Sequence, residues 1–238
     1  LEAWRTVGLG HMAAISGMHV SMLIFAGLIP LRLIGMPMAW QAVASLVVVA
    51  VLLLTVPWKA PVLRASLQAT LMVPMFLGAG RWYFLGTLAG VACFLLIGNA
   101  QHLSSIGFQC SFVATAALGL AMPQLRWRPY DDWPRRIARL ILVMCAPWLA
   151  VLPLGAYHFG VIHPYGAVLT IIASPVLSLI LPILWGSVFL GLEFPQLASL
   201  VGDVMVPALI ALQWILESLS TLPWVQISTN FFRPDAAP

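Results

Sequence analysis

Val47-Val48-Val49-Ala50-Val51-Leu52-Leu53-Leu54 is an unbroken apolar run. A strand of a transmembrane barrel alternates apolar and polar positions, and nothing here alternates. The run lies inside a longer apolar stretch, 39–57, close to the roughly 20 residues a helix needs to cross hydrocarbon. The whole chain has the same character. Of its 238 residues, 62% are hydrophobic and 8% charged, and the mean hydropathy is +1.01. A soluble domain carries about 25% charged residues. No soluble core hides so much apolar surface, so the solvent is lipid, where every backbone polar group must be satisfied within its own segment. The expected fold class is all-α: a polytopic transmembrane helical bundle with broken or kinked helices.

The same reasoning gives about eight apolar segments: 11–34, 39–57, 61–79, 82–98, 104–122, 138–160, 165–192 and 195–220. Prolines interrupt several of them: Pro61 and Pro74 in the third, Pro147 and Pro153 in the sixth, Pro175 and Pro182 in the seventh. Each removes a backbone donor and kinks a helix or exposes a half-helix end to a path. Net charge is +4, and most of it sits in one stretch, Pro123 to Arg139, with Arg126, Arg128, Asp131, Asp132, Arg135, Arg136 and Arg139. This stretch reads as a short amphipathic connector at the headgroups, cytoplasmic by its arginine excess. With eight spans, Arg32 and Arg81 share that side, while Arg5, Lys59, Arg64 and Arg233 fall on the other, so both termini are expected outside. Trp58, Trp82, Trp127, Trp133 and Trp224 stand near span ends and read as an interfacial belt, or as stacking platforms for bases. Cys93, Cys110 and Cys145 lack CxxC spacing and read as small buried hydrophobes.

Polar groups inside the apolar segments are the candidate functional residues, because they face a bundle interior or a water-filled path rather than lipid. The densest group is His11-Met12-Ala13-Ala14-Ile15-Ser16-Gly17-Met18-His19-Val20. On a helix, His11, Ile15 and His19 share a face, with Ser16 at its edge and Gly17 permitting close backbone approach. Arg64 lies just inside the third segment with Gln68 one turn on, either snorkelling to the interface or gripping a phosphate. Ser104, Ser105, Gln109 and Ser111 enter the fifth, for interhelical bonding or for lining a path. Asp203 and Glu217 in the last segment read as arginine partners or cap groups.

The opening stretch resembles the His-Leu-x-Ala-Ile-Ser-Gly-x-His-Val signature of the ComEC competence family of bacterial DNA-uptake channels. Three later stretches resemble the same family in its order: Pro61-Val62-Leu63-Arg64-Ala65, Gly107-Phe108-Gln109-Cys110-Ser111-Phe112, and the proline-punctuated run from Ala173 to Pro182. The resemblance implies one transmembrane competence domain over 1–238, without the family's OB-like and metallo-β-lactamase-like flanking domains. It implies a multi-pass protein of the bacterial inner membrane that passes single-stranded DNA inward during natural transformation. The implied partners are the strand, the lipid bilayer, a cytoplasmic ATPase and the DNA-delivery proteins of the competence machinery, with no cofactor. The residues expected to line the DNA path are His11, Ser16, Gly17, His19, Arg64, Gln68, Gln109 and Ser111.

Two other classes stay open on the residues. A proton- or ion-coupled transporter of a small solute would use Asp203, Glu217 and the histidines. An intramembrane hydrolase would use Ser16 with a neighbouring histidine, although no Gly-x-Ser-x-Gly elbow and no orienting carboxylate accompanies it. No catalytic residue is assigned. No metal site is expected either, since His11 and His19 stand two turns apart and no Cys-His set appears. No Walker lysine motif or nuclease motif is present, so energy and strand degradation are expected to come from elsewhere.

Overall fold

A computed structural model describes residues 6, 8–9, 17–76, 83–125, 132–221 and 226–228. Among these it forms eight α-helices: α1 (Gly17–Leu33), α2 (Met38–Thr55), α3 (Ala60–Phe76), α4 (Phe84–Gly98), α5 (Ile106–Ala121), α6 (Trp133–Phe159), α7 (Gly166–Glu193) and α8 (Pro195–Ser220). Two-residue strands β1 (Val161–Ile162) and β2 (Ile227–Ser228) pair antiparallel. Five helices are long and apolar enough to cross a membrane: α2, α5 with the 3-10 turn that continues it to Leu125, α6, α7 and α8. The fold is an all-α membrane bundle.

Local sequence sets the helix ends. α2 stops at Thr55 because Val56 precedes Pro57, whose ring disfavours helical backbone before it; Val56 is extended, at φ −115° and ψ 142°. α1 ends on Gly35, at φ +70°, with Met36 N–H donating to the Leu31 carbonyl at 2.9 Å and Gly35 N–H to that of Arg32 at 3.1 Å. That pair of bonds is a Schellman cap, which needs a left-handed residue. Ser105 caps α5, its side chain accepting from Phe108 N–H at 3.2 Å. Its hydroxyl is thus spent on the helix end rather than on a neighbouring helix or a path.

Two readings change. Helix α6 begins at Trp133, five residues before the apolar segment does, so Arg135, Arg136 and Arg139 stand on helix rather than in a connector. Hydropathy registers their charge, but Pro134 suits a first helical turn and arginine is a good helix former. Cys93 is exposed rather than buried; in lipid a small apolar side chain has no reason to hide. The prolines inside α6 and α7 act as missing rungs within continuous helices, since Pro147, Pro153, Pro175 and Pro182 all lie in helix interiors.

The chain divides into two compact units. In the first, residues 16–160 with 230–238, α3 is the hub and packs against α1, α2, α4 and α5. Phe108 of α5 sits in a core with Ala60, Val91 and Leu95, where the Phe112 ring lies tilted against it with centroids 4.2 Å apart. Helix α6 packs on α5. In the second, residues 1–15 with 161–229, α7 and α8 form a helical hairpin turned at Phe194. A Cβ on Gly191 would stand 3.1 Å from that of Ala198, so the hairpin closes tightly.

Candidate functional site at the hub helix

Helix α3 buries three of its polar residues along with part of its apolar face. Arg64 is 9% exposed, Ser66 1% and Gln68 7%, beside Val62 at 0%. Burial on nearly every side follows from its four helical neighbours. Arg64 Nη1 donates to Gln68 Oε1 at 2.5 Å, one turn along the same helix. Arg64 Nε donates to Ser111 Oγ on α5 at 2.9 Å. The third nitrogen, Nη2, lies over Gly17 at the start of α1, where any Cβ would overlap it; that Cβ would also stand 3.3 Å from Ala65 Cβ. One guanidinium thus joins three helices, and both of its hydrogen-bond partners among the described residues are neutral. The amide of Gln68 has its oxygen turned to the guanidinium, and its Nε2 is buried with no hydrogen-bond partner among the described residues; so is Ser66 Oγ.

The structure therefore brings together Gly17, Arg64, Gln68 and Ser111. Gln109 belongs to a different station. Its Nε2 donates to the Leu103 carbonyl at 2.9 Å, and its Oε1 lies 2.9 Å from His158 Nε2 on α6. The carbonyl accepts only, so the Gln109 oxygen must face His158 and Nε2 of that ring must carry the proton. One residue separates Gln109 from Ser111 along α5, which turns one toward α6 and the other toward α3. His19 is buried within α1 at 8% exposure. His11 and Ser16 lie outside the described residues.

Sequence reasoning counted His158 among the histidines of a transporter but not among the path residues, because its pairing carries no local signal: its partner is 49 residues away. Elsewhere, membrane-embedded hydroxyls bond back to their own helices: Ser21 to the Gly17 carbonyl at 3.1 Å, Thr70 to that of Ser66 at 3.0 Å, and Thr115 to that of Ser111 at 2.7 Å. On α8, Asp203 and Glu217 are exposed, and Glu217 accepts from Gln213 at 2.9 Å rather than from an arginine. Trp58, read as interfacial, is 71% exposed past the end of α2 and donates to the Leu53 carbonyl at 2.6 Å; Trp82, Trp127 and Trp224 lie outside the described residues.

Comparison with known proteins adds a family. The chain is 27% identical over 183 residues to ComE operon protein 3 of Bacillus subtilis (strain 168), an alignment spanning 76% of this chain and 22% of that protein. No solved structure matches. The family model described as Competence protein matches residues 1–237. Its match runs through the Arg64 cluster and all eight helices, and this multi-pass helical membrane chain belongs to the Competence protein family.

Proposed function

We propose that the chain forms the path by which a single DNA strand crosses the bacterial inner membrane during natural transformation, driven from the cytoplasm by an ATPase and fed by DNA-delivery proteins. The observation that carries this reading is a buried guanidinium, whose hydrogen-bond partners among the described residues are neutral, on the hub helix of a Competence-family membrane protein. A structural arginine in lipid is normally paired with a carboxylate, because an unpaired charge is costly there. One held by hydroxyl and amide oxygens keeps its positive field for a passing anion. With all eight helices crossing and both termini outside, α3 enters from the outer face, and Arg64 lies four residues from its start, about 6 Å deep. It meets a strand near the entrance. His19, the Gln109–His158 pair and the residues His11 and Ser16 complete a weakly attractive polar lining, and no catalytic step is assigned to any of them.

The test is transformation of a competent bacterium carrying Arg64 variants in the full-length protein. Arg64→Ala lowers transformants about a hundredfold at unchanged membrane abundance, and Arg64→Lys recovers part, since a lysine keeps the charge without the planar fork. Normal transformation by the alanine variant would remove the reading.

A further inference from the structure

A guanidinium grips a phosphate bidentately along one of two edges, Nε with Nη2 or Nη1 with Nη2. In this structure each edge already has one nitrogen engaged: Nε by Ser111 Oγ and Nη1 by Gln68 Oε1. An arginine meant to hold an anion tightly would present an open edge. This one is occupied by two neutral oxygens that imitate the acceptor it would otherwise take. Ser111 is tethered 47 residues away on α5, so it competes from a fixed position whenever no anion is present.

Resting on the DNA-path reading, we infer that Ser111 and Gln68 are resident competitors that keep Arg64's hold on each phosphodiester brief, and that they set the speed of strand passage. A second observation points to the same ligand class. The buried Gln68 Nε2 has donors and no acceptor among the described residues, immediately beside the guanidinium. What completes the site is a group with oxygen acceptors and no donors, which describes a phosphodiester. Its arrival exchanges one N–H···O bond for another: the Arg64–Ser111 bond breaks as an Arg64–phosphate bond forms. When the phosphate moves on, Ser111 takes the nitrogen back. Because one bond must break for each bond formed, the net hold is weaker than that of an open arginine, and conduction needs this, since a site that binds too well traps its cargo.

The inference makes a prediction opposite to that of a purely structural bond. In Ser111→Ala, Nε is free to pair bidentately. The full-length protein in nanodiscs, loaded with fluorescein-labelled oligothymidylate, then releases the strand about tenfold more slowly, and DNA enters cells more slowly per event. Ser111→Thr, which keeps the hydroxyl acceptor, returns the release rate toward the native value. Ser111→Val, which also lacks the hydroxyl acceptor, serves as an independent reading if Ser111→Ala does not reach the membrane; it too slows release. Faster or unchanged release in whichever of the alanine and valine variants reach the membrane would overturn the inference. If Arg64→Ala impairs uptake while these variants do not slow release, the DNA path stands and the competitor role falls. If Arg64→Ala takes up DNA normally, the path reading itself has failed.

Discussion

Helices α3 and α6 belong to the same compact unit and treat their arginines in opposite ways. Helix α3 has a polar residue at three of the five positions from Arg64 to Gln68, and all three are buried. Helix α6 is apolar along most of its length, yet only Val143 and Ala156 of it are buried, and Leu140, Ile141 and Leu142 lie open. Its arginines crowd the first two turns, where Arg135 and Arg136 are exposed and Arg139 Nη1 reaches the Gln124 carbonyl at 3.4 Å. The contrast shows what lipid does to the usual rule. Apolar side chains gain nothing from hiding in a bundle whose surroundings are equally apolar, so interior positions go to groups that hydrocarbon rejects. A charge at a helix mouth fixes orientation; a charge one turn inside the hub helix has no such use.

The sharpest way to break this comparison is topological. If the α6 arginines mark the cytoplasmic side, a cysteine at position 132, with Cys93, Cys110 and Cys145 replaced, reacts with a membrane-impermeant maleimide only after cells are opened. Labelling in intact cells would invert both helices and place Arg64 near the inner exit.

Next in size is Gly17→Leu. Its side chain would occupy the space of Arg64 Nη2 and push the guanidinium off its seat. Transformants should fall about a hundredfold, matching the upper range of over-packing costs, with membrane abundance little changed. Wild-type transformation would mean that the position of the guanidinium is immaterial.

The smallest effect compares packing alone. Val62→Ala on α3, at 0% exposure, should cost about 2 kcal/mol in detergent unfolding, whereas Leu142→Ala on α6, at 52%, should cost under about 0.5 kcal/mol. Equal costs would indicate that α6 is covered by something other than lipid.

Much of the fold was legible in the sequence because membrane spans announce themselves by length and hydropathy. The stretches 39–57 and 195–220 became Met38–Thr55 and Pro195–Ser220. Where hydropathy and helix propensity disagree, as at Arg135 and Arg136, the boundary was misplaced. The site was legible only at helical range. Gln68 one turn from Arg64 follows from spacing, and the bond is there. Ser111 as the second partner does not follow, nor does His158 beside Gln109, because each depends on which faces of α5 meet α3 and α6. Periodicity states that a helix has faces; it does not state which neighbour each will meet. Ser105 could have been read: a serine three residues before an amide that needs an acceptor, at the start of an apolar run, is a cap signal.

Helix α4 has a consequence for the membrane itself. Its 15 residues, bounded by extended Tyr83 and Asn99, rise about 22 Å, against a hydrocarbon layer of about 30 Å. If α4 spans the bilayer by itself, a deficit of about 8 Å has to be met by thinning of the surrounding leaflets or by headgroups and water reaching inward. Since α4 packs on both α3 and α5, that thinned zone would adjoin the Arg64–Ser111 bond. Headgroups and water would then come within reach of the buried charge from the α4 side, and the insulation around it would be set by the length of a neighbouring helix.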